Sequence, residues 1–119
     1  MRRLLLAAAL VLGSAGIAQA GPHDSIALVG SQTFGAQVTF DVSTHATDRP
    51  WVWNRCYQGA TLVSAEVHDM TPGAFFGNVF SLGPTTLWQG GDAECIAELQ
   101  DRDSSHDRVL ASLLYHVEG

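Results

Sequence analysis

The sequence predicts an all-β fold: seven to eight short strands in an antiparallel sandwich, held by one disulfide. Three observations carry this. Apolar and polar residues alternate over short stretches, and no window sustains a 3.6-residue period long enough for a helix. Turn-forming residues return about every ten residues, the spacing of a two-sheet sandwich or a small barrel. The chain has two cysteines, Cys56 and Cys95, and both follow what reads as an export signal.

The elements follow in order. Ser25 to Val29 is a first strand, ended by Gly30-Ser31. Gln37 to Ser43 sets Val38, Phe40 and Val42 on one face and Thr39 and Asp41 on the other, as a half-buried strand does. Thr47-Asp48-Arg49-Pro50 is a turn, and Trp51 to Tyr57 is an aromatic-rich strand. Gln58-Gly59 turns the chain back into Thr61 to His68, a hairpin partner. Met70 to Gly77 is an irregular connection. Asn78 to Leu82 and Thr85 to Trp88 are short strands, each closed by glycine. Ala93 to Leu99 alternates again, Asp101 to Asp107 is a polar loop, and Val109 to Val117 is the last strand. Without an internal repeat or linker, the pattern describes one domain.

The first 20 residues read as a cleaved signal peptide. Met1-Arg2-Arg3 is a basic start, Leu4 to Val11 is an unbroken apolar run, and Ala18-Gln19-Ala20 supplies the small residues of a cleavage site. The apolar run is short for a transmembrane helix. The expected organisation is therefore residues 1–20 as signal peptide and 21–119 as the mature domain, secreted or held at the cell envelope, with no membrane insertion after cleavage. The four arginines and twelve acidic residues beyond position 20 give the mature part a net charge of −8, with no lysine at all. An acidic chain without a basic patch lacks the phosphate contacts that supply most nucleic-acid affinity.

Around the cysteines a resemblance emerges. Cys56-Tyr57-Gln58-Gly59, Phe80-Ser81-Leu82-Gly83-Pro84 and Trp88-Gln89-Gly90-Gly91-Asp92-Ala93-Glu94-Cys95-Ile96-Ala97-Glu98-Leu99 together resemble small exported immunoglobulin-like domains of actinobacteria and their phages. The resemblance implies an immunoglobulin-like β-sandwich and no particular activity, since such folds host many functions. It departs from antibody domains in having Ala93 where their corner tyrosine stands, two residues before the second cysteine.

Side-chain parity locates the candidate site. Ala93, Cys95, Ala97 and Leu99 share a nearly apolar face, so Cys95 points inward. A disulfide, across the core or between neighbouring strands, then turns Cys56 inward, with Val52 and Asn54 beside it. Two arrangements of the aromatic strand remain. In one, strict alternation sends Trp51, Trp53, Arg55 and Tyr57 outward as a binding strip, with Arg55 in reach of Glu94 or Glu98. In the other, which is the commoner in sandwiches, a β-bulge between Trp53 and Cys56 drops Trp53 into the core.

Other motifs carry less. Asp101, Asp103, Ser105 and Asp107 recur at alternate positions, but the loop lacks the glycine and bidentate glutamate of a calcium site. His23, His45, His68, His106 and His116 form no zinc spacing, so no metal or cofactor is expected. No nucleophile elbow is present in the mature part. The expectation is a non-enzymatic module that binds a protein or glycan, or decorates a surface. A small secreted hydrolase, or an inhibitor of one, is the rival.

Overall fold

In a computed structural model of the chain, residues 18–21, 23–71, 78–102 and 108–119 are described. Most of the expected signal peptide, much of the Met70 to Gly77 connection and residues 103–107 of the Asp101 to Asp107 loop lie outside them. The strands are β1 (Ala18–Gly21), β2 (Asp24–Val29), β3 (Gln37–Ser43), β4 (Pro50–Gln58), β5 (Thr61–Asp69), β6 (Phe80–Ser81), β7 (Ala93–Asp101) and β8 (Arg108–Val117). They form two antiparallel sheets, ordered β1-β2-β3-β6 and β5-β4-β7-β8. The chain changes sheet after β3, after β5 and after β6, the Greek-key connectivity of an immunoglobulin-like sandwich. β1 spans the expected cleavage point between Ala20 and Gly21.

The core lies between the sheets. Ile26, Val38, Phe40 and Phe80 from one meet Val52, Ala97, Leu99, Leu113 and Tyr115 from the other. Phe40 stands edge-on to both Phe80 and Tyr115, a favourable arrangement for aromatic quadrupoles. Asn54 is one of three buried polar residues among those described, with Ser64 and Asp101, and its Oδ1 accepts a 2.6 Å hydrogen bond from the Tyr115 hydroxyl. That bond satisfies two groups whose burial would otherwise be costly. Burial pushes the Tyr115 hydroxyl well above its ordinary pKa, so it stays a donor.

Two expectations from the sequence need correction. Thr85 to Trp88 is a turn, not a strand. The Thr85 Oγ1 accepts from the backbone N–H groups of Leu87 (3.1 Å) and Trp88 (2.9 Å) and donates to Val63 O (2.6 Å). A hydroxyl that satisfies the local backbone in this way competes with a sheet ladder. Asn78 to Leu82 is likewise trimmed to Phe80–Ser81, because Leu82 bonds to Gly35 and Ala36 outside the ladder. Just beyond, Gly83 has φ +82°, and a Cβ there would lie 2.5 Å from the Phe34 ring. Only glycine fits this crossing.

The disulfide joins neighbours in one sheet. Cys56 stands directly opposite Cys95 in the β4–β7 ladder, and both side chains face the core. Antibody domains instead bridge their two sheets. The bond closes a separation of 39 residues, which in the chain-entropy model is worth about 4 kcal/mol. Reducing it should lower the unfolding free energy by about 2 to 4 kcal/mol in denaturant titrations. Equal midpoints for oxidised and reduced chains would contradict that role.

Candidate functional site

β4 keeps an unbroken register against β7. Trp51 faces Gln100, Trp53 faces Glu98, Asn54 faces Ala97, Arg55 faces Ile96, Cys56 faces Cys95 and Tyr57 faces Glu94. No bulge lies between Trp53 and Cys56. The sheet has two bulges elsewhere, both on edge strands. One inserts Val63 into β5 opposite Cys56 and Tyr57. The other inserts Leu110 into β8 opposite Leu99 and Gln100. Each leaves two consecutive buried residues, Val63-Ser64 and Leu110-Ala111. Edge strands absorb an extra residue at little cost because only one side of the ladder is disturbed. The two central strands therefore keep strict alternation.

Trp51, Trp53, Arg55 and Tyr57 consequently share the outer face of this sheet, all half-buried. The core tryptophan is Trp88 instead. It is fully buried (0% exposed), its Nε1 donates to Gly91 O at 3.0 Å, and its ring meets Phe34 edge-on.

The outer face is built in four rows across the strands. Asp69, Trp51, Gln100 and Val109 form the first, and Val67, Trp53, Glu98 and Ser112 the second. Ala65, Arg55, Ile96 and Leu114 form the third, and Leu62, Tyr57, Glu94 and His116 the fourth. The Arg55 guanidinium lies 4.3 Å from the Trp53 ring centre and 3.1 Å from Glu98, which resolves the two sequence options in favour of Glu98. Beyond the first row, the Arg102 guanidinium sits 3.2 Å from the Trp51 ring centre. Each such cation–π contact is worth about 0.5 to 1 kcal/mol at an exposed site. Between them lies a groove of about 240 Å³, lined by Trp51, Trp53, Val67, Gln100, Asp101 and Arg102. The Trp51 Nε1 and Arg55 Nε donors are buried and have no hydrogen-bond partner.

A second cluster closes the opposite end of the face. His116 is held at Nδ1 by Glu94 and at Nε2 by Asp92 (3.1 Å), with Glu118 at 3.6 Å. Sequence spacing had not joined these residues, because Glu94 and His116 meet only through the β7–β8 register. Donor atoms of Asp92, His116 and Glu118 lie within 4.8 Å of one another. A larger hollow of about 490 Å³ opens between β5 and the turn after β6, lined by Val63, Pro84, Thr85 and Leu87 among others. Its one acid, Glu66, already accepts from the Ser81 backbone N–H at 2.8 Å.

No family model, curated protein or solved structure matches this chain. The geometry of the outer face therefore carries the functional reading.

The acidic cluster makes a pH prediction. The hydrogen bond to Glu94, then the charges and bond of Glu94 and Asp92, raise the His116 pKa above its ordinary 6.5. A raised value means the folded state holds the proton more tightly than the unfolded state. The resulting stabilisation is full below pH 6.5 and is lost as pH rises through the folded value. Melting temperatures of the wild type should fall across that window, and His116→Gln should remove that part of the slope. An NMR titration of His116 with a midpoint at or below 6.5 would contradict the assignment.

Proposed function

We propose that this chain is a secreted, non-enzymatic binding module that engages a protein or glycan through the outer face of the β5-β4-β7-β8 sheet. The observation that supports this most is the unbroken β4–β7 register, which directs Trp51, Trp53, Arg55 and Tyr57 away from the core. Two indoles, a phenol and a guanidinium on one flat face offer large contact area at low conformational cost, and such residues dominate binding hot spots. The strip offers contact area and donors rather than a nucleophile with its base, which favours a binder over a hydrolase. The disulfide fits an oxidising compartment, in keeping with export. The resemblance to exported immunoglobulin-like domains of actinobacteria and their phages is part of the same reading.

The test uses a panel of immobilised glycans, envelope proteins and the chain itself, probed with labelled oxidised protein. Trp53→Ala and Tyr57→Ala should each weaken a bound partner by about 2 kcal/mol, near thirty-fold, with the far-ultraviolet circular dichroism of the folded sheet retained. Binding that survives both substitutions would remove this face from consideration.

A further inference from the structure

Asp92, Glu94, His116 and Glu118 meet where β7 begins and β8 ends, and backbone contacts beyond the cluster set their places. His116 stands opposite Glu94 in the β7–β8 register, and its carbonyl accepts from Gln32 Nε2 at 2.8 Å. Glu118 forms a parallel bridge with Thr33. Its N–H donates to Gln32 O (2.9 Å), and its carbonyl accepts from the Phe34 N–H (2.7 Å). Asp92 follows Gly91, against which Gly119 packs so closely that a Cβ at position 119 would have no room. The Gly119 N–H then donates to Asp92 Oδ1 at 2.7 Å, while Oδ2 faces His116.

The surroundings of the imidazole are unequal. Nδ1 meets one carboxylate, Glu94. Nε2 meets two, Asp92 Oδ2 at 3.1 Å and Glu118 Oε2 at 3.6 Å. A neutral ring has one N–H. Given to Glu94, it leaves the Nε2 lone pair in front of two anions, the place of a metal ion. Ligands about 2.0 to 2.1 Å from zinc at tetrahedral angles stand roughly 3.4 Å from one another. The two distances from Nε2 bracket that spacing. A carboxylate on the far nitrogen is also the common support of a zinc-bound histidine. Calcium and magnesium prefer oxygen ligands throughout, whereas zinc accepts imidazole with carboxylates.

We propose that Asp92 Oδ2, His116 Nε2 and Glu118 Oε2 bind a zinc ion, with Glu94 positioning the ring through Nδ1. Three protein ligands leave the fourth coordination position to water. The ion ties the start of β7 to the end of β8 and, through the Glu118 bridge, to the Gln32–Phe34 segment. This site is separate from the tryptophan groove and stands whether or not the outer face binds a partner. The expectation of no metal rested on the spacing of the histidines. Here one histidine is joined by carboxylates, and Asp92 is 24 positions away from it, so only the fold brings the donors together.

The experiment is isothermal titration calorimetry with zinc chloride on the chelator-treated, disulfide-bonded chain at about pH 7.5, where protons compete less for the imidazole. The expected result is one ion per chain with a dissociation constant below about 50 µM, undisturbed by magnesium in about a hundred-fold excess over zinc. His116→Gln, Asp92→Asn and Glu118→Gln should each weaken binding at least ten-fold. Glu94→Gln, which touches only the far nitrogen, should weaken it about ten-fold and keep the stoichiometry at one. Circular dichroism of each variant checks that the sheet is retained. The stacked rings of His23 and His45 are the competing place for zinc, so His45→Gln should change nothing. A chain that takes up no zinc overturns the proposal. So does binding that survives His116→Gln and is lost with His45→Gln.

Discussion

Cys56 and Cys95 sit opposite each other near one end of the β4–β7 ladder, and the sheet around them has little freedom to be otherwise. A disulfide between directly opposed residues permits one register. A slip by a single residue would turn every side chain of β4 to the other face. Locking this pair inward places Val52 and Asn54 in the core and Trp51, Trp53, Arg55 and Tyr57 outside. The extra residues that the twisted sheet must accommodate are then pushed to the edge strands, as Val63 on β5 and Leu110 on β8. The bond thus acts on stability and on the surface at once.

Much of this was legible in the sequence because the core dictates it. Gln37 to Ser43 was read with its exact limits, since a half-buried strand must alternate. β4 runs one residue further at each end, whereas β5, β7 and β8 differ by one or two residues at one end only. The parity of Ala93, Cys95, Ala97 and Leu99 announced an inward cysteine, and burial of all four agrees. The position of the core tryptophan was less legible. Immunoglobulin-like precedent favours a tryptophan on the β4 strand, but here Trp88 enters from the turn organised by Thr85. Thr85-Thr86 looks β-forming, and only its hydrogen bonds to Leu87, Trp88 and Val63 show a hydroxyl replacing a ladder. The adjacent buried pairs Val63-Ser64 and Leu110-Ala111 were a signal for the bulges that alternation alone passed over.

The charged features of the face were hidden for a different reason. A sequence gives each strand its two faces but not the alignment between strands. Glu94 and His116 are 22 positions apart, and Arg102 is 51 positions from Trp51, so their meeting depends on register and loop path. Arg55 and Glu98 came within reach of sequence reasoning because the paired cysteines fix the offset between their strands. The outcome is a face with Arg102 and Asp69 at one end, His116 among carboxylates at the other, and two indole rings on the central strand β4 covered by guanidinium groups. Such a surface combines contact area with direction, which recognition of a specific partner requires.

The claim on which this account turns is that β4 runs straight and its tryptophans face outward. Tryptophan-selective oxidation of the dilute, disulfide-bonded chain, read by mass spectrometry, tests it with an internal standard. The account predicts that Trp51 and Trp53 are modified while Trp88 resists until the protein unfolds. Protection of Trp53 equal to that of Trp88 would place it in the core and contradict the account.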